Sequence, residues 1–471
     1  MKIINSVYIN GQFLPAYGQE TASILSPLNG KAIASLTYAN EEDTRAAICA
    51  ADEALKSYAQ SSIPERITYL QSIHDAIMDR MDDLIEATIL EYGAPRDRAR
   101  WANILAATTF TNYIAVLKDY PFERQVNEST VIMEPVGVAA LFTPWNATAG
   151  SIAVKLAPAL AAGCTVILKP SEFTPWQAQI VMEAIHTAAL PTGVVNMVNG
   201  RGDVIGSAIM ESPIVNKISF TGSTVVGKTL ARQAVDTMKR VTLELGGKSA
   251  NIILDDADLN QAIPMALQAA FMNNGQACIA GSRLLVPATK MAAVKAALIA
   301  AAPAFVVGNP EYADVNIGPL ASQKQFDRVQ HYIAAGIAAG AELIYGGPGR
   351  PDGLSEGYYV QPTIFFNVHK DMQIAQEEIF GPVLSVIAYH NEAEAVAIAN
   401  ESPYGLMAYI SSTNMEKAQK IAAGLKAGRV LINTLKHDPF APFGGYKESG
   451  IGRENGVYGL EEYLEIKTLI A

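Results

Sequence analysis

One of three cysteines, Cys278, lies in the run Phe271-Met272-Asn273-Asn274-Gly275-Gln276-Ala277-Cys278-Ile279-Ala280-Gly281-Ser282-Arg283. Gly275, Ala277, Ala280 and Gly281 leave space around the thiol, so a substrate can approach it. Upstream, Glu244 is embedded in the apolar run Thr242-Leu243-Glu244-Leu245, just before Gly246, Gly247 and Lys248. A thiolate and a partly desolvated carboxylate form the pair that covalent catalysis needs: one attacks and the other activates water. Taken alone, the cysteine also fits a small buried hydrophobe, and Glu244 fits a strand-end carboxylate pairing with Lys248.

Positioning such a pair takes a rigid frame, and the hydrophobic pattern supplies one. Residues 1–40 read as short strands with turn signals at Asn10-Gly11 and Asn29-Gly30. Helical periodicity follows over 41–58, 64–91 and 96–116. Residues near 118–135 are polar and extended. From 136 onward apolar strands at 136–142, 165–169, 194–198, 217–221 and 240–244 alternate with helices at 151–162, 175–188 and 204–211. This is the rhythm of a doubly wound parallel sheet, with ligands expected at the carboxyl ends of its strands. A second α/β pattern runs from 249 to about 432, with helices at 258–273 and 291–303 and a Gly- and Pro-rich stretch at 346–357.

Composition narrows the class. The 471 residues are half hydrophobic and 17% charged, enough for two or three domains with sizeable cores. A formal net charge of −11 argues against nucleic acid or anionic membrane as the main partner. Cys49, Cys164 and Cys278 are too few and too scattered for a disulfide framework, and they fit a reducing compartment. Histidines do not cluster, so no metal site is expected. No apolar run reaches the length of a membrane span, and Met1-Lys2-Ile3-Ile4-Asn5 does not read as a signal peptide. The expectation is a cytoplasmic, soluble protein.

Around the Cys278 and Glu244 stretches, further motifs occur in order: Thr143-Pro144-Trp145-Asn146, Lys169-Pro170-Ser171-Glu172, Phe220-Thr221-Gly222-Ser223-Thr224, Glu377-Glu378-Ile379-Phe380-Gly381-Pro382 and Pro442-Phe443-Gly444-Gly445. Together they resemble the aldehyde dehydrogenase superfamily along the whole chain. The resemblance implies two doubly wound α/β domains and a small β oligomerisation extension. Residues 1–117 and 136–246 would bind NAD, 247–440 would carry the nucleophile, and 118–135 with 455–471 would supply oligomerisation strands. It implies NAD-dependent oxidation of an aldehyde to the free acid. Cys278 would attack, Asn146 and the Cys278 N–H would hold the oxyanion, and Glu244 would activate the hydrolytic water. Relatives that transfer the acyl group to coenzyme A often lack this glutamate. For the cofactor, Lys169 and Glu172 look like the pair on the adenosine ribose, and a carboxylate there favours NAD over NADP. Gly222, Ser223, Thr224 and Gly227 would meet the pyrophosphate at a helix start. Glu378 would hold the nicotinamide ribose and Phe380 would pack on the ring. Thr143, Trp145, Ser171 and Leu245 complete the implied cofactor contacts. A homodimer or homotetramer is implied, and the short tail leaves the choice open.

Two other readings compete. Gly222-Ser223-Thr224-Val225-Val226-Gly227-Lys228-Thr229 satisfies the phosphate-loop pattern, and Asp255 ends a strand-like run as a metal-binding aspartate would. A nucleotide triphosphatase, however, leaves Cys278, Glu244, Asn146 and Glu378 without roles. A catalytically silent structural relative would not require Asn146, Glu244 and Cys278 together. The run 200–206 imitates a dinucleotide fingerprint with one spacing too long, and reads as a helix-start turn.

The substrate passage is expected between Trp145, the helix around Trp101–Ile104, Ala277, Ile279 and the loop 435–440. Its walls suit an apolar or aromatic body. Arg100, Lys436 or His437 are candidates to receive a carboxylate, as a semialdehyde substrate would require; Arg98, Arg100 and Trp101 could line a substrate entrance, but read better as a helix face. Many relatives follow Trp-Asn with an aromatic residue and proline, whereas this chain has Ala147-Thr148-Ala149-Gly150. A differently shaped pocket is expected there.

Overall fold

A computed structural model describes residues 1–470. Its frame is two large sheets. The first has eight strands in the order Gly450–Ile451, Arg240–Glu244, Val215–Thr221, Val138–Phe142, Thr165–Lys169, Val195–Met197, Ser6–Ile9 and Gln12–Pro15. Its five middle strands are parallel and the edges antiparallel. The central strand Val138–Phe142 is buried at every position, the apolar pattern expected of a strand covered on both faces. From that strand the chain adds Thr165–Lys169 and Val195–Met197 on one side, then returns to add Val215–Thr221 and Arg240–Glu244 on the other. The strand order reverses there, opening a crevice at the carboxyl ends Phe142 and Thr221.

The second sheet has seven strands, Glu342–Tyr345, Thr363–Phe366, Val383–Tyr389, Arg283–Pro287, Ala250–Ile253, Met407–Ser411 and Arg429–Ile432, all parallel except the first. The strands Glu123–Val126, Ser129–Pro135 and Leu464–Ile470 form a separate antiparallel sheet; of the segments expected as strands, 118–119 close a helix and Gly456–Glu461 is a short helix instead. A further small sheet joins Lys2–Ile4, Ala32–Thr37 and Thr21–Leu25.

Two local expectations change. The pattern over 64–91 is two helices, Ile63–Asp79 and Met81–Tyr92, joined at Arg80, whose backbone leaves the helical region. The Asn10-Gly11 signal closes the tight hairpin between Ser6–Ile9 and Gln12–Pro15, both turn residues having positive φ. Asn29-Gly30 sits instead in the longer connection between Thr21–Leu25 and Ala32–Thr37. Residues 200–206 open the helix Gly202–Glu211 as an ordinary start.

Candidate active site

The nucleophile loop is set by an unusual backbone. Helix Leu259–Phe271 ends in Asn273, Asn274 and Gly275, three consecutive residues with φ of 54°, 58° and 71°. Asparagine and glycine are the residue types that tolerate this region. Side chains fix the turn. Asn274 Nδ2 donates to the carbonyls of Gly93 and Pro319, and its Oδ1 accepts from the Gly318 N–H. A Cβ on Gly275 would overlap the Gly381–Pro382 backbone, so the turn lies directly against the 377–382 loop. Cys278 follows on the strand-free segment before Arg283–Pro287.

Asn146 meets this loop from the first sheet. Its Nδ2 donates to the Gln276 carbonyl at 2.9 Å, and Asn273 Nδ2 donates back to the Asn146 carbonyl at 3.0 Å. One N–H of the Asn146 amide is thereby held and the other is left to donate elsewhere. Glu244 ends its strand with 3% exposure, and neither carboxylate oxygen has a hydrogen-bond partner. Glu378 reaches over from the second sheet, accepting from the Gly247 N–H at 3.0 Å. Gly247 has no room for a side chain, because a Cβ would overlap the Cys278 carbonyl. Asn146, Glu244, Cys278 and Glu378 all line one cavity of about 420 Å³, with Trp145, Gly222, Ser223, Leu245 and Phe380. The first sheet contributes loops at the carboxyl ends of its strands. The second contributes loops at the amino ends (246–249, 276–282, 377–382), contrary to the general expectation for its strands.

The electrostatics are those of a buried site. Burial, then Glu378 and Glu244, push the Cys278 thiol up to about 12, far from the mildly activated thiol that the free residue suggests. Burial also holds Glu244 well above the usual carboxylate range; Glu454 repels it further, while Lys155 and Arg453 pull the other way. Lys155 and Glu454 form a buried ion pair at 2.6 Å, and Lys155 also donates to Ser219 Oγ. This pair was not anticipated from the sequence. Its signal was Lys155 alone in the apolar helix Thr148–Ala162: a buried charge needs a partner. Glu91 also lines the cavity, its carboxyl pushed up to about 8 by burial although it accepts from the Trp176 and Gln177 N–H groups.

Of the other expected contacts, Ser223 and Phe380 line this cavity, while Thr143, Lys169, Ser171, Glu172, Thr224 and Gly227 do not. Lys169 pairs with Glu172 at 2.7 Å at the end of its strand, and Ser171 Oγ accepts from the Phe173 N–H. Thr143 donates its N–H to the Lys169 carbonyl. Ser223 caps helix Thr224–Ala234, accepting from the Val226 N–H. Gly227 is inside that helix, where a Cβ would overlap Leu245; its role here is close helix–strand packing. This overturns the phosphate-loop pattern. Thr224 to Thr229 are already helical, and Lys228 pairs with Glu448 at the surface. Asp255 likewise pairs with the exposed side of Lys417. Phe380 has φ +64° and meets Trp145 edge to face at 5.4 Å, its carbonyl held by Gln325. Trp101, Leu435, Lys436, His437 and Pro439 surround an outer opening, while Ala277, Ile279, Ile104 and Arg100 do not line it.

The sequence model of the aldehyde dehydrogenase family matches residues 13–469. The chain belongs to the aldehyde dehydrogenase family. This aldehyde dehydrogenase is 44% identical over 474 residues to a 3-succinoylsemialdehyde-pyridine dehydrogenase from a Pseudomonas species, covering all of this chain and 99% of the relative. An aldehyde dehydrogenase C variant from Pseudomonas syringae, solved with NAD+ and octanal, superposes with a TM-score of 0.98 at 42% identity, over 99% of this chain and 96% of that one. Betaine aldehyde dehydrogenase from Staphylococcus aureus, solved with NAD+, gives 0.96 at 35% identity, over 99% and 94%. The dehydrogenase fold expected from the motifs is therefore the fold observed. Among the described residues no helix is long and apolar enough to cross a membrane.

Proposed function

We propose that the chain oxidises an aldehyde to the free acid with NAD, using Cys278 as nucleophile. The observation that carries this reading is the convergence of Cys278, Asn146 and Glu244, from three distant segments, on one cavity. The cavity fits a dinucleotide end: it extends to the start of helix Thr224–Ala234, whose first turn holds no acidic residue to repel a phosphate. Backbone groups at Gly222–Thr224 would hold the pyrophosphate, Lys169 and Glu172 the adenosine ribose, and Glu378 the nicotinamide ribose beside Phe380. Bound there, NAD supplies a cationic ring that favours the thiolate and accepts a hydride.

The chain's own residues do the rest. Glu244 takes the Cys278 proton, and the thiolate attacks the aldehyde carbon. The free Asn146 N–H and the Cys278 N–H receive the oxyanion; an uncharged donor does so without also gripping the product acid. After hydride loss the acyl group remains as a thioester on Cys278. Glu244, having passed the Cys278 proton on to solvent, deprotonates a water that attacks the thioester; the Cys278 thiolate departs and the acid leaves. Retention of Glu244 supports hydrolysis rather than transfer to a thiol carrier. The two large sheets and the separate antiparallel sheet support division into cofactor-binding, nucleophile-bearing and oligomerisation parts, and the antiparallel sheet at Leu464–Ile470 supports a homodimer or homotetramer. Sparse free cysteines suit a cytoplasmic compartment. The test is NADH formation over a panel of aldehydes, lost in Cys278→Ala. Silence of the unaltered protein across aliphatic, aromatic and carboxylated aldehydes would sink the reading.

A further inference from the structure

Beside the nucleophile cavity lies a second one of about 140 Å³, between helix Arg96–Asp119 and the segment that follows Asn146. It exists because that segment is Ala147-Thr148-Ala149-Gly150. No bulky side chain fills the space, and a Cβ built on Gly150 meets nothing within 4 Å. The cavity shares Trp145 and Asn146 with the nucleophile cavity, and Trp101 and Leu105 with the outer opening. It therefore occupies the space between the surface and the oxyanion donor.

One charged residue lines it, Arg98. Its guanidinium lies 4.2 Å from the centre of the Trp101 ring, which fixes its plane. Arg98 Nε is buried and has no hydrogen-bond partner. Among the described residues no carboxylate comes within ion-pair distance of it, and the cavity lining holds no acidic side chain. The buried arginines elsewhere are satisfied: Arg283 by three carbonyls, and Arg66 by Ser61 Oγ and the Ala59 and Ala161 carbonyls. A cation drawn from water with unmade hydrogen bonds is stabilised by an anion that presents two oxygens to its fork.

We propose that Arg98 sets substrate choice by receiving the carboxylate of a short ω-carboxylated aldehyde. The chain of that substrate lies along Trp101, Ala147 and Gly150, and its aldehyde end reaches Asn146 and Cys278. The assignment rests on the aldehyde-oxidising reading of Cys278, and replaces Arg100, Lys436 and His437 as the receiving group. A cavity of this size holds about five water-sized groups, which suits a semialdehyde of a few carbons.

The test compares succinic semialdehyde with butanal, equal in carbon number, in the unaltered enzyme, Arg98→Met, Arg98→Lys and Ala147→Phe. The expected result is a fall of about a hundredfold in the ratio of kcat/KM for the two aldehydes in Arg98→Met, carried mainly by KM. Arg98→Lys should recover part of the ratio, and Ala147→Phe should lower it by filling the cavity. An equal loss for both aldehydes in Arg98→Met, or a preference of the unaltered enzyme for butanal, overturns the proposal. Calorimetric titration with succinate separates the two readings. If neither aldehyde is oxidised but succinate binding still requires Arg98, the reaction fails and the anion site stands. If succinate does not bind, or binds Arg98→Met equally well, the anion site fails.

Discussion

Lys155 Nζ and a Glu454 carboxylate oxygen stand 2.6 Å apart in a buried ion pair, and both act on Glu244. Burial is the main cause that raises the Glu244 carboxyl; the repulsion from Glu454 adds to it and the attraction of Lys155 opposes it. Glu454→Gln removes the repulsion and leaves the attraction, so Glu244 ionises at lower pH. The acid limb of the kcat–pH profile should move to lower pH where thioester hydrolysis limits turnover. Stability should fall by about 3–5 kcal/mol, since Lys155 stays buried without its partner. An unmoved limb in a folded variant would count against Glu244 as the base.

The ligand-free thiol of Cys278 is held at about 12 by burial and by Glu378 and Glu244. The thiolate fraction, and with it the rate of iodoacetamide labelling at this residue, should climb about tenfold per pH unit through the alkaline range. Peptide mapping should find the exposed Cys49 labelled before Cys278 at neutral pH. Levelling of Cys278 labelling near pH 8.5 would contradict the burial argument.

Lys228 forms an exposed pair with Glu448. Lys228→Ala should change turnover by less than about twofold and melting by about a degree, as surface pairs do. Glu172→Ser, by contrast, should raise the NADP/NAD ratio of kcat/KM by about tenfold, because the carboxylate that repels a 2′-phosphate is gone. An unaltered ratio would remove Glu172 from the ribose site.

Glu91 serves helix Pro175–Thr187, whose own cap residue Thr174 makes no side-chain cap bond. Glu91→Ala leaves two N–H groups without their acceptors and should cost about 2–4 kcal/mol. In the folded chain its carboxyl titrates near 8, above its unfolded value of 4.5. The folded state thus binds the extra proton between these values, and stability falls as pH rises from about 4.5 to 8. Glu91→Gln should flatten that decline; parallel thermal melts across the window measure the difference.

Much of this was legible in the chain. Asn146 and Glu244 follow or end strands that the apolar runs at 136–142 and 240–244 already marked, whereas Cys278 and Glu378 were legible only through their motifs. The helical run over 64–91 hid its break, since Arg80 carries neither proline nor glycine to announce it. Lys155 and Glu454 were passed over, and Arg98 was read as a helix face, for a common reason: their importance lies in what is, or is not, beside them, and only the folded chain brings those neighbours together. The phosphate-loop pattern misled because its glycine serves helix–strand packing, a use that spacing alone does not distinguish.

Strand Gly450–Ile451 pairs with Arg240–Glu244, and Glu454 follows it at once. A site whose nucleophile and oxyanion donor are present by residue 278 thus waits for residue 454. On the ribosome, the nascent chain must keep the Lys155 ammonium hydrated or borrow another counter-ion until Glu454 has been made. Release or proteolytic cleavage before Glu454 would leave Cys278 in place within an unfinished enzyme.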